Sequence, residues 1–123
     1  MHAKKEELPN TFEMPGAIFR MQPGQGNMMI SYAEMPAGPL DAVLEGLPDN
    51  SCHCPHWGYL FKGQITIQYH NGEKEVIKAG DVYYLPPGHS GSIDEDSIAI
   101  EFSPEKEYME VIEHIKKKMQ ALT

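Results

Sequence analysis

The chain has 123 residues, a hydrophobic fraction of 41% and a formal net charge of −8. That length suits one domain. The acidity argues against nucleic acid and anionic membrane surfaces as partners, and no apolar run approaches the roughly 18 residues needed to span a bilayer. The opening MHAKKEELPN has early lysines but no apolar stretch behind them, so it does not read as a signal peptide, and the expected compartment is the cytoplasm.

Residues 1–16 are polar and carry prolines, and they read as an N-terminal arm ahead of a single domain over 17–123. A short strand is expected at 17–21, a proline–glycine turn at 23–26, and a longer strand at 27–35. Residues 40–47 have a spacing that fits either a strand or one helical turn. A second turn falls at 48–51, PDNS.

The segment 51–63, SCHCPHWGYLFKG, holds both cysteines, the only tryptophan and two of the six histidines. In an extended strand alternate side chains share a face. Cys52, Cys54 and His56 then fall on one side, and His53, Trp57, Tyr59 and Phe61 on the other. Pro55 cannot donate a ladder hydrogen bond, so a bulge there would turn His53 inward in place of a cysteine.

A tight reversal is expected at Gly63 and Gln64, followed by an alternating strand over 65–69. Asn71-Gly72 is a strong hairpin signal, because a type I′ turn needs positive φ at both central residues. Strands at 74–78 and 82–85 follow, and Pro86-Pro87-Gly88 ends the second. Residues 91–94 and 97–102 read as a hairpin with the acidic Asp94-Glu95-Asp96 at its tip. The period then changes. Ser103, Pro104 and Glu105 suit a helix start, and an apolar stripe of Tyr108, Val111, Ile112, Ile115, Met119 and Leu122 predicts a helix over 104–121. Many short strands with one terminal helix indicate an all-β barrel or sandwich with a C-terminal α-helix.

Gly80, Pro86 and Gly88, in GDVYYLPPG, resemble the second motif of the cupin superfamily, and Gly63 in YLFKG matches the glycine that ends the first. The resemblance covers roughly 49–102. It implies a double-stranded β-helix, jelly-roll-like barrel with a pocket that commonly holds a metal. Counting back from Gly63, His56 takes the place of the cupin glutamate ligand. The upstream histidine pair falls near Asp49, Asn50, Ser51 and Cys52, and the second-motif histidine falls at Gly91, with His89 two residues earlier. The set of three histidines and a glutamate is therefore not carried over.

What remains is a candidate set of Cys52, Cys54, His56 and His89, with His53 replacing a cysteine if Pro55 reverses the face. Thiolates and imidazoles suit a divalent ion such as zinc, or another soft-tolerant ion, and suit oxygen-activating iron poorly. The plainer reading is that both cysteines are small buried hydrophobes. Tyr83, Tyr84 and Trp57 are candidate substrate contacts, although packing is the commoner role for such residues. An outward aromatic face on the central strand would suit a homodimer interface. Two kinds of function fit: a metal-assisted enzyme on a small polar ligand, and a non-catalytic ligand-binding or redox-sensing module.

Overall fold

A computed structural model describes residues 1–9 and 12–121. Eight strands form one antiparallel sheet: β1 (Phe12–Met14), β2 (Ala17–Gln25), β3 (Met28–Met35), β4 (Gly38–Pro39), β5 (His56–Tyr69), β6 (Lys74–Lys78), β7 (Val82–Leu85) and β8 (His89–Pro104). A short helix, α1 (Asp41–Leu44), precedes β5, and α2 (Glu105–Ala121) follows β8. The strand order is β1-β2-β3-β8-β5-β6, with β7 on β5 and β4 on β8.

The two long strands, β5 and β8, carry the architecture. They pair antiparallel from Trp57↔Phe102 to Tyr69↔His89, with register irregularities between Leu60 and Ile65. The sequence suggested a reversal at Gly63 and a hairpin at 94–96. Both strands instead run on through a shared bend. Gly63 sits at φ +95°, and a Cβ there would collide with the Ser97 hydroxyl and lie 2.6 Å from the Asp96 carbonyl oxygen. A glycine thus lets the two strands approach where both turn. The acidic residues lie along the exposed bend of a paired strand. Asp94 accepts hydrogen bonds from Gln64, Thr66 and Ser92.

Turn chemistry also differs from expectation. The Asn71-Gly72 signal produces a longer loop, in which only Gly72 has positive φ and the Asn71 side chain accepts from the Glu73 amide. The Asn71 side chain supplies the turn contact that a type I′ backbone would otherwise provide. The two-residue turn with positive φ at both positions is Gly26-Asn27, at +66° and +62°, between paired Gln25 and Met28. The undecided 40–47 segment contains α1, and α2 begins at Glu105 rather than 104.

The interior holds two packed groups. Leu60, Ile65, Ile67, Ile77, Leu85, Ile93 and Ala99 form one. Met21, Met29, Leu44, Cys52, Cys54, Tyr108 and Ile112 form the other, which joins α1 and α2 to the sheet. Full burial of each large aliphatic side chain contributes about 1.5–3 kcal/mol. The α2 stripe works as its spacing implies, with Tyr108 and Ile112 buried; Leu122 lies outside the described residues. Lys116 sits 5.5 Å from the centroid of the Phe12 ring, tying the helix to β1. No helix is long and apolar enough to cross a membrane among the described residues.

Candidate metal centre and pocket

Three of the candidate ligands converge. Cys52, His56 and His89 are all buried, and one ligand atom from each lies within 4.8 Å of the others. His56 opens β5 beside Leu85 of β7. His89 opens β8 directly after the Pro86-Pro87-Gly88 turn. Cys52 lies outside any strand, yet it forms an isolated bridge with His89. The Cys52 amide donates to the His89 carbonyl at 2.8 Å, and the His89 amide returns to the Cys52 carbonyl at 3.1 Å. Residues 52–54 are therefore not a strand continuous with β5, and face alternation does not govern them. Cys54 is fully buried with its thiol directed at the Pro55 carbonyl, and is not one of the three. His53 is exposed and bonds the Pro48 carbonyl oxygen at 2.8 Å.

The imidazoles are held by their outer nitrogens. His89 Nδ1 is 2.8 Å from the Pro86 carbonyl, which can only accept, so Nδ1 carries the proton and Nε2 keeps its lone pair. His56 Nδ1 is 2.7 Å from Ser103 Oγ and 3.6 Å from a Glu101 carboxylate oxygen. The adjacent carboxylate favours a proton on Nδ1, which leaves Nε2 facing the Cys52 sulfur at 3.5 Å. The two rings lie edge to face with centroids 5.2 Å apart. Burial pushes the His89 pKa down to about 4, so the ring is neutral near pH 7. Burial also pushes the Cys52 thiol up to about 12.

Glu101, Ser103 and Tyr108 also border these groups; the sequence placed Ser103 at a helix start and Tyr108 in the helical stripe, and did not mark any of the three as a site residue. Glu101 and Ser103 sit on β8 among Ile100 and Phe102. Along 97–103 the small and polar residues face inward and Ile98 and Ile100 are half-buried. Ser97, Ala99 and Ser103 are buried, while Phe102 is 43% exposed. An acidic residue within the otherwise apolar run 98–102 was the available signal. Tyr83 reaches across Gly58 to donate to the Glu101 carboxylate at 2.6 Å. Burial first, then the Glu101 charge, raises its pKa far above the ordinary phenol value. Trp57 and Tyr84 pack on each other on the outer face, 45% and 48% exposed, away from the pocket.

The cavity beside these groups has a volume of about 130 Å³. Cys52, His56, His89 and Glu101 line it together with Ile65, Ile67, Leu85 and Ile93, and α2 contributes Tyr108 and Ile112.

The bent antiparallel sheet with its C-terminal helix is a fold shared with a set of solved structures. The chain has the cupin fold. It is similar to an RmlC-like cupin from Shewanella frigidimarina NCIMB 400, at 16% identity and TM-score 0.56 over 83% of this chain and 88% of that one. It is also similar to ectoine synthase from P. lautus, at 13% identity and TM-score 0.61 over 85% and 78% of the two chains. A putative mannose-6-phosphate isomerase from Ralstonia eutropha JMP134 matches at 14% identity and TM-score 0.56, over 85% of this chain and 98% of that one. No protein-family profile matches the sequence, and no significant relative appears among curated proteins. At these identities the likeness establishes the cupin fold alone.

The donor set fits a metal of the zinc type. Two imidazoles with their outer nitrogens engaged and one thiol are the ligand types of three-ligand zinc sites. Their outer nitrogens are held by a carbonyl, a hydroxyl and a carboxylate, the arrangement that orients metal-bound histidine.

Proposed function

We infer that this cupin-fold protein binds a small molecule at a divalent metal centre held by Cys52, His56 and His89, and acts on an oxygen of that molecule. The convergence of three buried donors on one cavity carries this reading. When bound, a zinc-like ion polarises a carbonyl or hydroxyl oxygen as a Lewis acid. The chain supplies the rest. Ser103 and Glu101 fix His56, the Pro86 carbonyl fixes His89, and Tyr83 holds Glu101 in place. Glu101 is the one charged side chain that lines the cavity among the described residues, and it is placed to exchange a proton with a bound ligand.

The redox-sensing alternative is less well supported. A sensor thiol needs access and thiolate character. Cys52 is 5% exposed and Cys54 0%, and burial pushes both thiols to about 12. We further propose a homodimer through the outer aromatic face. Trp57, Phe61, Val82, Tyr84 and Phe102 are all exposed on neighbouring strands there. Contiguous apolar surface of this kind marks interfaces.

Metal analysis tests the central reading. Purified protein dialysed against zinc should hold one equivalent. Cys52→Ala and His56→Ala should each abolish stoichiometric binding, His89→Ala should weaken it strongly, and Cys54→Ser should leave it intact. Ser103→Ala should weaken affinity about 10–100-fold, as loss of an orienting partner does. Stoichiometric binding that survives His56→Ala and Cys52→Ala would sink the assignment.

A further inference from the structure

The cavity has a chemical division that narrows the ligand. Its polar side chains form one connected group. Cys52, His56 and His89 converge, Glu101 touches His56, and Tyr108 packs 6.3 Å from the His56 ring. Much of the remaining lining is aliphatic, with Ile65, Ile67, Leu85, Ile93 and Ala99 forming one packed wall. These residues form a packed group separate from the one that contains Cys52 and Tyr108. No lysine or arginine lines the cavity among the described residues. Glu101 adds a negative charge beside the polar end.

Resting on the metal-centred reading above, we propose that the pocket takes a small molecule of about six carbons in all, with one uncharged, oxygen-bearing head on a short aliphatic body, and that it rejects phosphorylated and polyhydroxylated compounds.

Three physical arguments converge. Beyond the metal the lining offers a phosphate no lysine or arginine, so most of the cost of desolvating its charges is not recovered, and Glu101 would repel it. Hydroxyls along a sugar would face isoleucine and leucine side chains that offer no hydrogen bond. An aliphatic body, by contrast, is stabilised by leaving water for that wall. Size sets the length. An apolar cavity of about 150 Å³ takes a benzene-sized molecule, and this one has about 130 Å³.

A chain-length series tests the proposal. Zinc-loaded protein is titrated calorimetrically with aceto-, butano- and hexanohydroxamate and with glucose 6-phosphate. Metal-free protein is titrated with ethanol, butanol and hexanol, followed by the methyl resonances of the isoleucines. Affinity should rise about fourfold per methylene in both series. Methyl shifts should appear at Ile65, Ile67 and Ile93, and glucose 6-phosphate should not bind. Ala99→Leu fills the aliphatic end. It should weaken the hexyl members about fifteenfold, for roughly two displaced methylenes, with zinc stoichiometry unchanged. Ala33→Val makes the same test from a different strand if the first variant does not fold. Affinity that is flat with chain length, or glucose 6-phosphate binding as tightly as hexanohydroxamate, overturns the proposal. If the protein takes up no zinc, the metal-centred reading fails. The alcohol series then decides the aliphatic pocket alone: rising affinity upholds it, and flat affinity overturns it.

Discussion

Gly58 is the residue whose substitution most directly probes how the pocket is supported. It lies in β5 between Tyr83 of β7 and Glu101 of β8 in register. A Cβ added there would sit 2.5 Å from Tyr83 Cζ, 2.6 Å from its hydroxyl oxygen and 2.9 Å from the Ile100 carbonyl oxygen. The glycine is required by close approach, because the Tyr83 ring crosses this point to reach Glu101. In Gly58→Ala the ring must leave. Overpacking of this kind costs about 1–3 kcal/mol. Loss of a hydrogen bond to a carboxylate adds about 1.5–3 kcal/mol when nothing replaces it. Water can replace part of that bond, so a total of about 2–4 kcal/mol is expected. For a chain of this size the melting temperature falls by roughly 10 °C. Urea unfolding of Gly58→Ala, Tyr83→Ala and the double variant gives the cycle. With the ring already gone only the Ile100 carbonyl resists the new methyl, so the second substitution should be milder by about 1–2 kcal/mol. An equal cost of Gly58→Ala in both backgrounds would refute the claim that Tyr83 is what the glycine accommodates.

Other outcomes follow from the same geometry. Metal-free protein should lose stability as pH falls from 6.5 to 4. The unfolded chain protonates His89 near 6.5, whereas the folded chain resists until about 4. The stability is fully present above 6.5, and the loss is complete below the folded value. The interval of about 2.5 units corresponds to about 3 kcal/mol. The slope should disappear in His89→Gln, and a slope unchanged by that substitution would rule His89 out as its source. With thiols near 12, native metal-free protein at pH 8 should react with iodoacetamide far more slowly than urea-unfolded protein; equal rates would favour accessible sensor thiols. Light scattering at high micromolar concentration should give the mass of a dimer, and Trp57→Glu paired with Tyr84→Lys should give a monomer. A wild-type monomer would remove the outer aromatic face as an interface.

Much of the site was legible one strand at a time. Gly63, Gly80, Pro86 and Gly88 mark turns or bends, and a bend or tight turn constrains residue type locally. Through their resemblance to the cupin motifs they indicated the barrel frame and pointed to His56 and His89. The α2 stripe was legible for the same reason, since helical period is a local property.

What the sequence could not reveal is which residues meet. Face alternation assigned Cys52 and Cys54 alike, but it applies only to extended, paired backbone. The 52–54 segment takes its geometry from the bridge to His89, 37 residues away. Over residues 98–103 of β8, Phe102 is exposed and Ile98 and Ile100 are only half-buried, while Ala99, Glu101 and Ser103 turn inward. The sign of an alternation is set by which side of the sheet the rest of the chain covers. Length and charge bounded the partners, the glycines and prolines placed the turns, and the helical period placed α2. The shared bend of β5 and β8 brought His56, His89 and Glu101 together, because contacts between residues distant in sequence exist only once the strands are paired and folded over one another.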